Sequence, residues 1–175
     1  AQAYARRRQG RVLALERLLA RYPNGLINTY SLTSYVTESS AAGNAFSCGV
    51  KTVNGGLAIH ADGTPLKPFF AAAKEAGKAV GLVTTTTVTH ATPASVFSRS
   101  ADRDWESDTN IPADQQHGCK DIALQLAEAK FDVALGGGTA MFYGRNGGGR
   151  RADPAADLPA QWAARTGGVV VKDAP

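Results

Sequence analysis

Residues 35–52 read YVTESSAAGNAFSCGVKT, and the character of the chain changes at Ser39. Tyr35, Val36 and Thr37 are aromatic or β-branched, which suits a strand. Ser39, Ser40, Ala41, Ala42 and Gly43 are small. Ala45, Phe46 and Val50 then recur at helical spacing, with Gly49 near the end. The pattern predicts a strand that hands over to a helix whose N-terminus holds Ser39. Free N–H groups and the helix dipole favour an anion there. A serine in that position caps the helix or, once ionised, attacks a phosphoryl or acyl group. The pattern alone leaves both roles open.

Working outward, residues 3–21 form an amphipathic pattern, with Val12, Leu15, Leu18, Leu19 and Tyr22 on one side and arginines on the other. Leu26–Val36 reads as a strand, and Val53–Pro65 as a polar connector. Leu66–Ala76 reads as a helix closed by Gly77. Ala79–Val88, AVGLVTTTTV, has the composition of a buried parallel strand. Pro112–Lys130 contains a second amphipathic helix through Ile122, Leu126 and Ala129. Phe131–Leu135 is a short strand running into Gly136-Gly137-Gly138, which lacks the Gly-Lys-Ser/Thr ending of a nucleotide loop and reads as structural. Leu158–Arg165 is a short helix and Val169–Lys172 a last strand. Arg145–Asp157, rich in Gly, Arg and Pro, reads as a mobile surface loop. This alternation predicts an α/β fold, with a mostly parallel sheet covered by helices on both faces.

A chain of 175 residues, 43% hydrophobic and 19% charged, fits one globular domain with a real core. No apolar run approaches the roughly 20 residues that span a membrane. The sequence starts inside a helical pattern without Met, and it is expected to be a piece of a longer protein. The net charge of +4 is uneven, because residues 1–21 hold six arginines against Glu16. Such a helix is either a solvated face or a polyanion-binding surface. It has no interleaved aromatic residues to stack on bases, so nucleic acid is not an expected partner. Cys48 and Cys119 have no CxxC partners and are expected to be buried thiols.

Beyond the sheet, Thr89-His90-Ala91-Thr92-Pro93-Ala94 follows the strand 79–88. Reactive groups collect past the carboxyl ends of parallel strands, so this turn is expected near Ser39. A His and a Thr two apart in extended chain can share one cation, and oxygen-rich ligation suits Mg²⁺. The same two residues would equally serve as hydrogen-bonded structure. In Ser100-Ala101-Asp102-Arg103-Asp104-Trp105-Glu106-Ser107-Asp108, an arginine between two aspartates is an ordinary surface ion-pair pattern.

Taken together, these segments resemble the alkaline phosphatases. Thr37–Ala45 followed by Cys48-Gly49-Val50-Lys51-Thr52 is similar to the family's nucleophile segment, with Glu38 where the family has Asp. Thr89–Ala94 resembles its H-A-T/S-P turn. Ser100–Asp108 resembles its S-A-D-R-D-W-Y-S-D run, with Glu106 in place of Tyr. Gly118–Ala123 and Asp132–Gly138 extend the match.

The resemblance implies a three-layer α/β sandwich, incomplete here, with residues 1–175 as part of a single catalytic domain. It implies hydrolysis of phosphate monoesters through a phosphoserine on Ser39, with Arg103 gripping the phosphate and Glu38, Asp102 and Asp104 in support. Two Zn²⁺ ions, one of them on Ser39, and one Mg²⁺ on His90 and Thr92 are the implied cofactors. A homodimeric parent, located in the periplasm, outside the cell or anchored to a membrane, is implied too. The cysteine that would bridge Cys119 is absent. The 175 residues alone are expected to be inactive, because other zinc ligands of the family have no counterpart in them. His60 and His117 fall outside the matching motifs. The rival readings are a phosphodiesterase or sulfatase of the same superfamily, and a non-catalytic polyanion-binding module using the arginine-rich helix.

Overall fold

The computed structural model describes residues 27–116 and 118–172. The helix expected over residues 3–21, and His117, lie outside them. The described residues form five helices and two strands, in order: α1 (Ser39–Cys48), α2 (Phe69–Glu75), β1 (Gly81–Thr87), α3 (Ala91–Ala94), α4 (Ile122–Glu128), β2 (Val133–Gly137) and α5 (Leu158–Thr166). Short 3₁₀ turns lie between α3 and α4 and between β2 and α5. Among the described residues, no helix is long and apolar enough to cross a membrane.

β1 and β2 pair in parallel, Gly81 with Val133 and Thr87 with Gly137, with an irregularity between Val83 and Thr87. A parallel pair needs a crossover, and α3 and α4 supply it. Asp132 fixes the start of the register, because its Oδ2 accepts from Val80 N at 2.7 Å and from Lys74 Nζ at 2.7 Å. Glycine at 136 lets the strands close up. A Cβ there would lie 2.7 Å from Thr84 Cγ2 and 2.8 Å from Val88 Cγ1. The triple glycine is thus a packing device.

The α/β class is as expected, and several elements differ in detail. Residues 27–36 form no strand. Leu32 N donates to Thr52 O, and the Thr37 hydroxyl donates back to Thr29 O at 2.6 Å. Side-chain bonding of this kind competes with a strand ladder. Residues 169–172 also lack strand pairing. Helix α2 starts only after Pro68, which has no N–H and extended backbone. Gly77, at φ +71, ends it as expected.

β1 is less buried than its composition suggests, with Val83 77% exposed, because the described sheet has two strands and one open face. Cys48 is half-buried, but Cys119 is exposed, and both are free. Residues 145–157 are anchored rather than loose. Arg151 is buried and grips Asp121 with two bonds, Nη1 to Oδ1 at 3.0 Å and Nη2 to Oδ2 at 2.8 Å.

The main core joins Phe70, Leu82, Val88, Leu126 and Phe131. Phe131 stacks against Phe70 at 4.1 Å and meets Phe97 edge-on at 5.4 Å. A second cluster of Leu57, Ala91, Ala94 and Ile122 supports α3 from below. α1 lies directly on α3: a Cβ on Gly43 would stand 2.5 Å from Ser95 Cβ, and the Ser47 hydroxyl donates to Ser95 O at 2.8 Å.

Asn44, fully buried on α1, holds the connector behind the helix. Its Nδ2 donates to Thr52 Oγ1 and Gly56 O, each at 2.9 Å, and its Oδ1 accepts from Ala58 N at 2.8 Å. Ala58 is buried at φ +46, a backbone region that disfavours a side chain. Asn44→Ala would strand the Gly56 carbonyl and the Ala58 amide in the interior. The expected loss is about 3 kcal/mol, read by urea denaturation at neutral pH.

Candidate active site

Two loops and a helix end meet beyond the carboxyl end of β1. Ser39 is the first residue of α1, and it does not cap the helix. The cap is Glu38, whose carboxylate accepts from Ser40 N at 2.9 Å and Ala41 N at 3.0 Å. Ser40 is spoken for as well. Its buried hydroxyl donates to Glu38 Oε1 and accepts from Gly55 N at 2.9 Å. Ser39, half-buried at the helix mouth, is therefore the serine free of a capping duty.

Glu38 also forms an ion pair with Arg103, whose Nη1 donates to Oε2. The two side chains are only 25% and 24% exposed, so water screens the pair incompletely. The methylene that separates Glu from Asp lets one carboxylate cap α1 and reach Arg103 at the same time. Burial alone would raise the Glu38 pKa. The Ser40 hydroxyl and the amides of Ser40, Ala41 and Gly55 outweigh it and hold the carboxyl at about 2.

A depressed carboxyl pKa stabilises the fold in full above the ordinary 4.5 and loses that contribution as pH falls through about 2. The melting-temperature advantage of the native protein over Glu38→Gln should therefore be constant from neutral pH to about 4.5 and shrink between there and pH 2. A pH-independent gap would contradict this assignment.

Arg103 reaches a second partner, His90, with Nη2 at 3.0 Å from Nε2. A guanidinium only donates, so Nε2 is the acceptor in this contact. Thr92 N lies 3.5 Å from Nδ1. At that distance it is a long, weak hydrogen bond from the amide to Nδ1.

The structure thus joins Glu38, Arg103 and His90 in one chain of contacts beside Ser39. The other expected site residues are less engaged. Thr92 is exposed and borders an apolar groove lined by Phe69, Phe70, Leu82 and Val96. Asp104 is largely exposed and only 3.9 Å from Arg103 Nε. Asp102 shapes the loop, accepting from Asp104 N at 2.9 Å through Oδ1. Arg103 is therefore oriented mainly by Glu38 and His90. Ser40, which the sequence offers as a cap beside Ser39, instead bonds the Glu38 cap, while Gly55 and Asn44 carry no role in the sequence pattern.

Among the described residues, no group of three or more His, Cys, Asp or Glu side chains could hold a metal ion. His90 with Thr92, and Ser39 separately, offer donors that could contribute to metal sites but not complete one.

Comparison with known proteins gives the family of the chain. A family model described as Alkaline phosphatase matches residues 4–171. The alkaline phosphatase of Gadus morhua is 40% identical over 134 residues, which is 69% of this chain and 28% of that protein. The tissue-nonspecific isozyme of alkaline phosphatase from Homo sapiens is also 40% identical over 134 residues, covering 69% and 26%. Among solved structures, Thermus thermophilus alkaline phosphatase superposes with a TM-score of 0.72 at 70% identity, over 94% of this chain and 31% of that one. The alkaline phosphatase of the Antarctic bacterium TAB5 gives 0.62 at 30% identity, over 81% and 35%. The chain spans about a quarter of the length of the curated relatives it matches. The chain belongs to the alkaline phosphatase family.

Proposed function

We propose that this segment supplies the nucleophile and the phosphate clamp of a phosphate monoesterase. The observation that supports it most is the contact chain Glu38–Arg103–His90 beside a serine with no capping role. Ser39 Oγ forms a bond to phosphorus as the ester P–O bond breaks and the alcohol departs. Water then cleaves the phosphoserine and returns the hydroxyl. Arg103 holds two phosphoryl oxygens with parallel N–H bonds, which its planar guanidinium suits and lysine cannot match. Glu38 and His90 hold that guanidinium in place, so its geometry is set before charge develops on phosphorus.

Ser39, His90 and Thr92 are the residues here that would contribute to metal sites, two zinc ions and one magnesium by kinship. A solved variant of the TAB5 enzyme carries Mg in a site named M3, with a TM-score of 0.62 and 30% identity. Bound divalent ions would lower the pKa of the serine hydroxyl and neutralise charge on the leaving oxygen. A homodimeric assembly and a periplasmic, extracellular or membrane-anchored location belong to the same proposal and rest on kinship alone.

The test is a trap. The full-length protein is mixed with an aryl phosphate, quenched in acid and digested. Mass spectrometry should find phosphate on the peptide containing Ser39 and on no other serine. Turnover with phosphate on Ser40, or with no phosphopeptide at all, would overturn the assignment.

A further inference from the structure

The carboxylate of Glu106 has no role in the chemistry just described, yet it sits between the two halves of the site. Its Oε2 accepts from the Thr87 hydroxyl at 2.9 Å and also from the Thr89 hydroxyl. Thr87 ends β1, and fully buried Thr89 immediately precedes His90. The turn that follows β1, closed by His90 N donating to Thr87 O at 3.0 Å, brings both hydroxyls to one oxygen.

The backbone of Glu106 is fixed from the other side. Ala123 N donates to Glu106 O at 3.2 Å and Ile122 N donates to Trp105 O at 2.9 Å, so the start of α4 docks on this loop. Trp105 is buried beneath it. Arg103 lies in the same tight turn, where Trp105 N donates to Asp102 O at 3.3 Å and Glu106 N to Asp104 O at 2.8 Å. Glu106 therefore ties the loop that carries Arg103 to the strand end that carries His90. Among the described residues, the contact between Arg103 and His90 has no other brace of this kind between its two loops.

We infer that Glu106 is a positioning residue: it sets where the Arg103 guanidinium stands relative to His90, and so how phosphate is gripped. This rests on the proposed phosphatase reading. Removing the carboxylate frees the arginine loop to drift, and displacements near 1 Å at a reacting centre cost on the order of 10- to 100-fold.

The experiment uses the full-length protein, far below its melting temperature, with inorganic phosphate as competitive inhibitor and an aryl phosphate as substrate. Glu106→Ala should raise the phosphate inhibition constant and lower kcat/KM about tenfold or more. Glu106→Gln keeps an oxygen that both hydroxyls can use, and should restore most of the loss. Thr89→Val removes one of the two bonds from the opposite loop at nearly constant volume, and should move the constants in the same direction. In an Arg103→Ala background, Glu106→Ala should add little, because the residue it positions is gone.

Folded Glu106→Ala with native constants, or losses that simply add to those of Arg103→Ala, would overturn the inference. If Glu106→Ala does not fold, Thr89→Val decides: native constants there overturn the inference too. The phosphopeptide at Ser39 keeps the two questions apart. Its absence from the native protein counts against the phosphatase reading, whereas its presence with unmoved constants in the variants counts against Glu106 alone.

Discussion

Ser39→Ala in the full-length protein is expected to lower kcat/KM for an aryl phosphate by about 10⁴-fold or more, as removal of a covalent nucleophile does elsewhere. The neighbouring hydroxyl cannot stand in. Ser40 Oγ is buried, donates to Glu38 and receives Gly55 N. Turning it toward substrate would break both bonds and leave the Gly55 amide with only its 3.1 Å bond to Glu38 Oε1. The fold should hardly notice the change. Glu38 caps α1, so alanine at the first helical position costs no cap and has the better helix propensity. A melting temperature within a degree or so of the native value, with activity gone, is the expected pair of results. Comparable losses in both would mean that Ser39 serves the fold, and retained activity would remove it from the mechanism.

The largest effect on stability is expected at Asp121. Its carboxylate and the Arg151 guanidinium are only 2% and 6% exposed and joined by two bonds. Arg151 Nη1 also donates to Met141 O at 3.1 Å, and Nη2 lies 3.4 Å from Asp108 Oδ2. Asp121→Ala leaves a guanidinium buried with too few acceptors, and breaking such a pair costs about 3–5 kcal/mol. For a chain of this size that lowers the melting temperature by roughly 10 °C.

Asp121 also caps α4, accepting from Leu124 N at 3.0 Å. Asp121→Asn keeps a capping oxygen, so the difference between the two variants separates charge from cap. A loss below about 1 kcal/mol in both would show that solvent reaches Arg151 after all.

How far the sequence could be read depended on how local each feature is. The segments 37–52, 89–94 and 100–108 each carry their candidate site residues within a few positions, so short-range pattern is enough to single them out. Glu38 was legible as a charge but not as a cap, because Glu is a poor match to the usual capping residues; only its longer reach makes the double role possible. The irregular course of 27–36 was hidden, since β-branched composition cannot reveal that Thr37 will bond back to Thr29. Arg151 and Asp121 lie 30 positions apart with no periodicity between them, and Gly and Pro around Arg151 mimic a loose loop. The open face of β1 was also invisible. Apolar composition records that a strand is to be covered, not which residues cover it.

The bare Gly43 backbone against Ser95 has one more implication. Helix α1 and the end of α3 touch with only the small Ser95 and Ser47 side chains between them, so rotamer changes there can alter their separation little. Heating or cooling should then loosen the rim of the cleft long before it widens the gap between nucleophile and imidazole. An engineer wishing to resize that gap would have to rebuild both elements together.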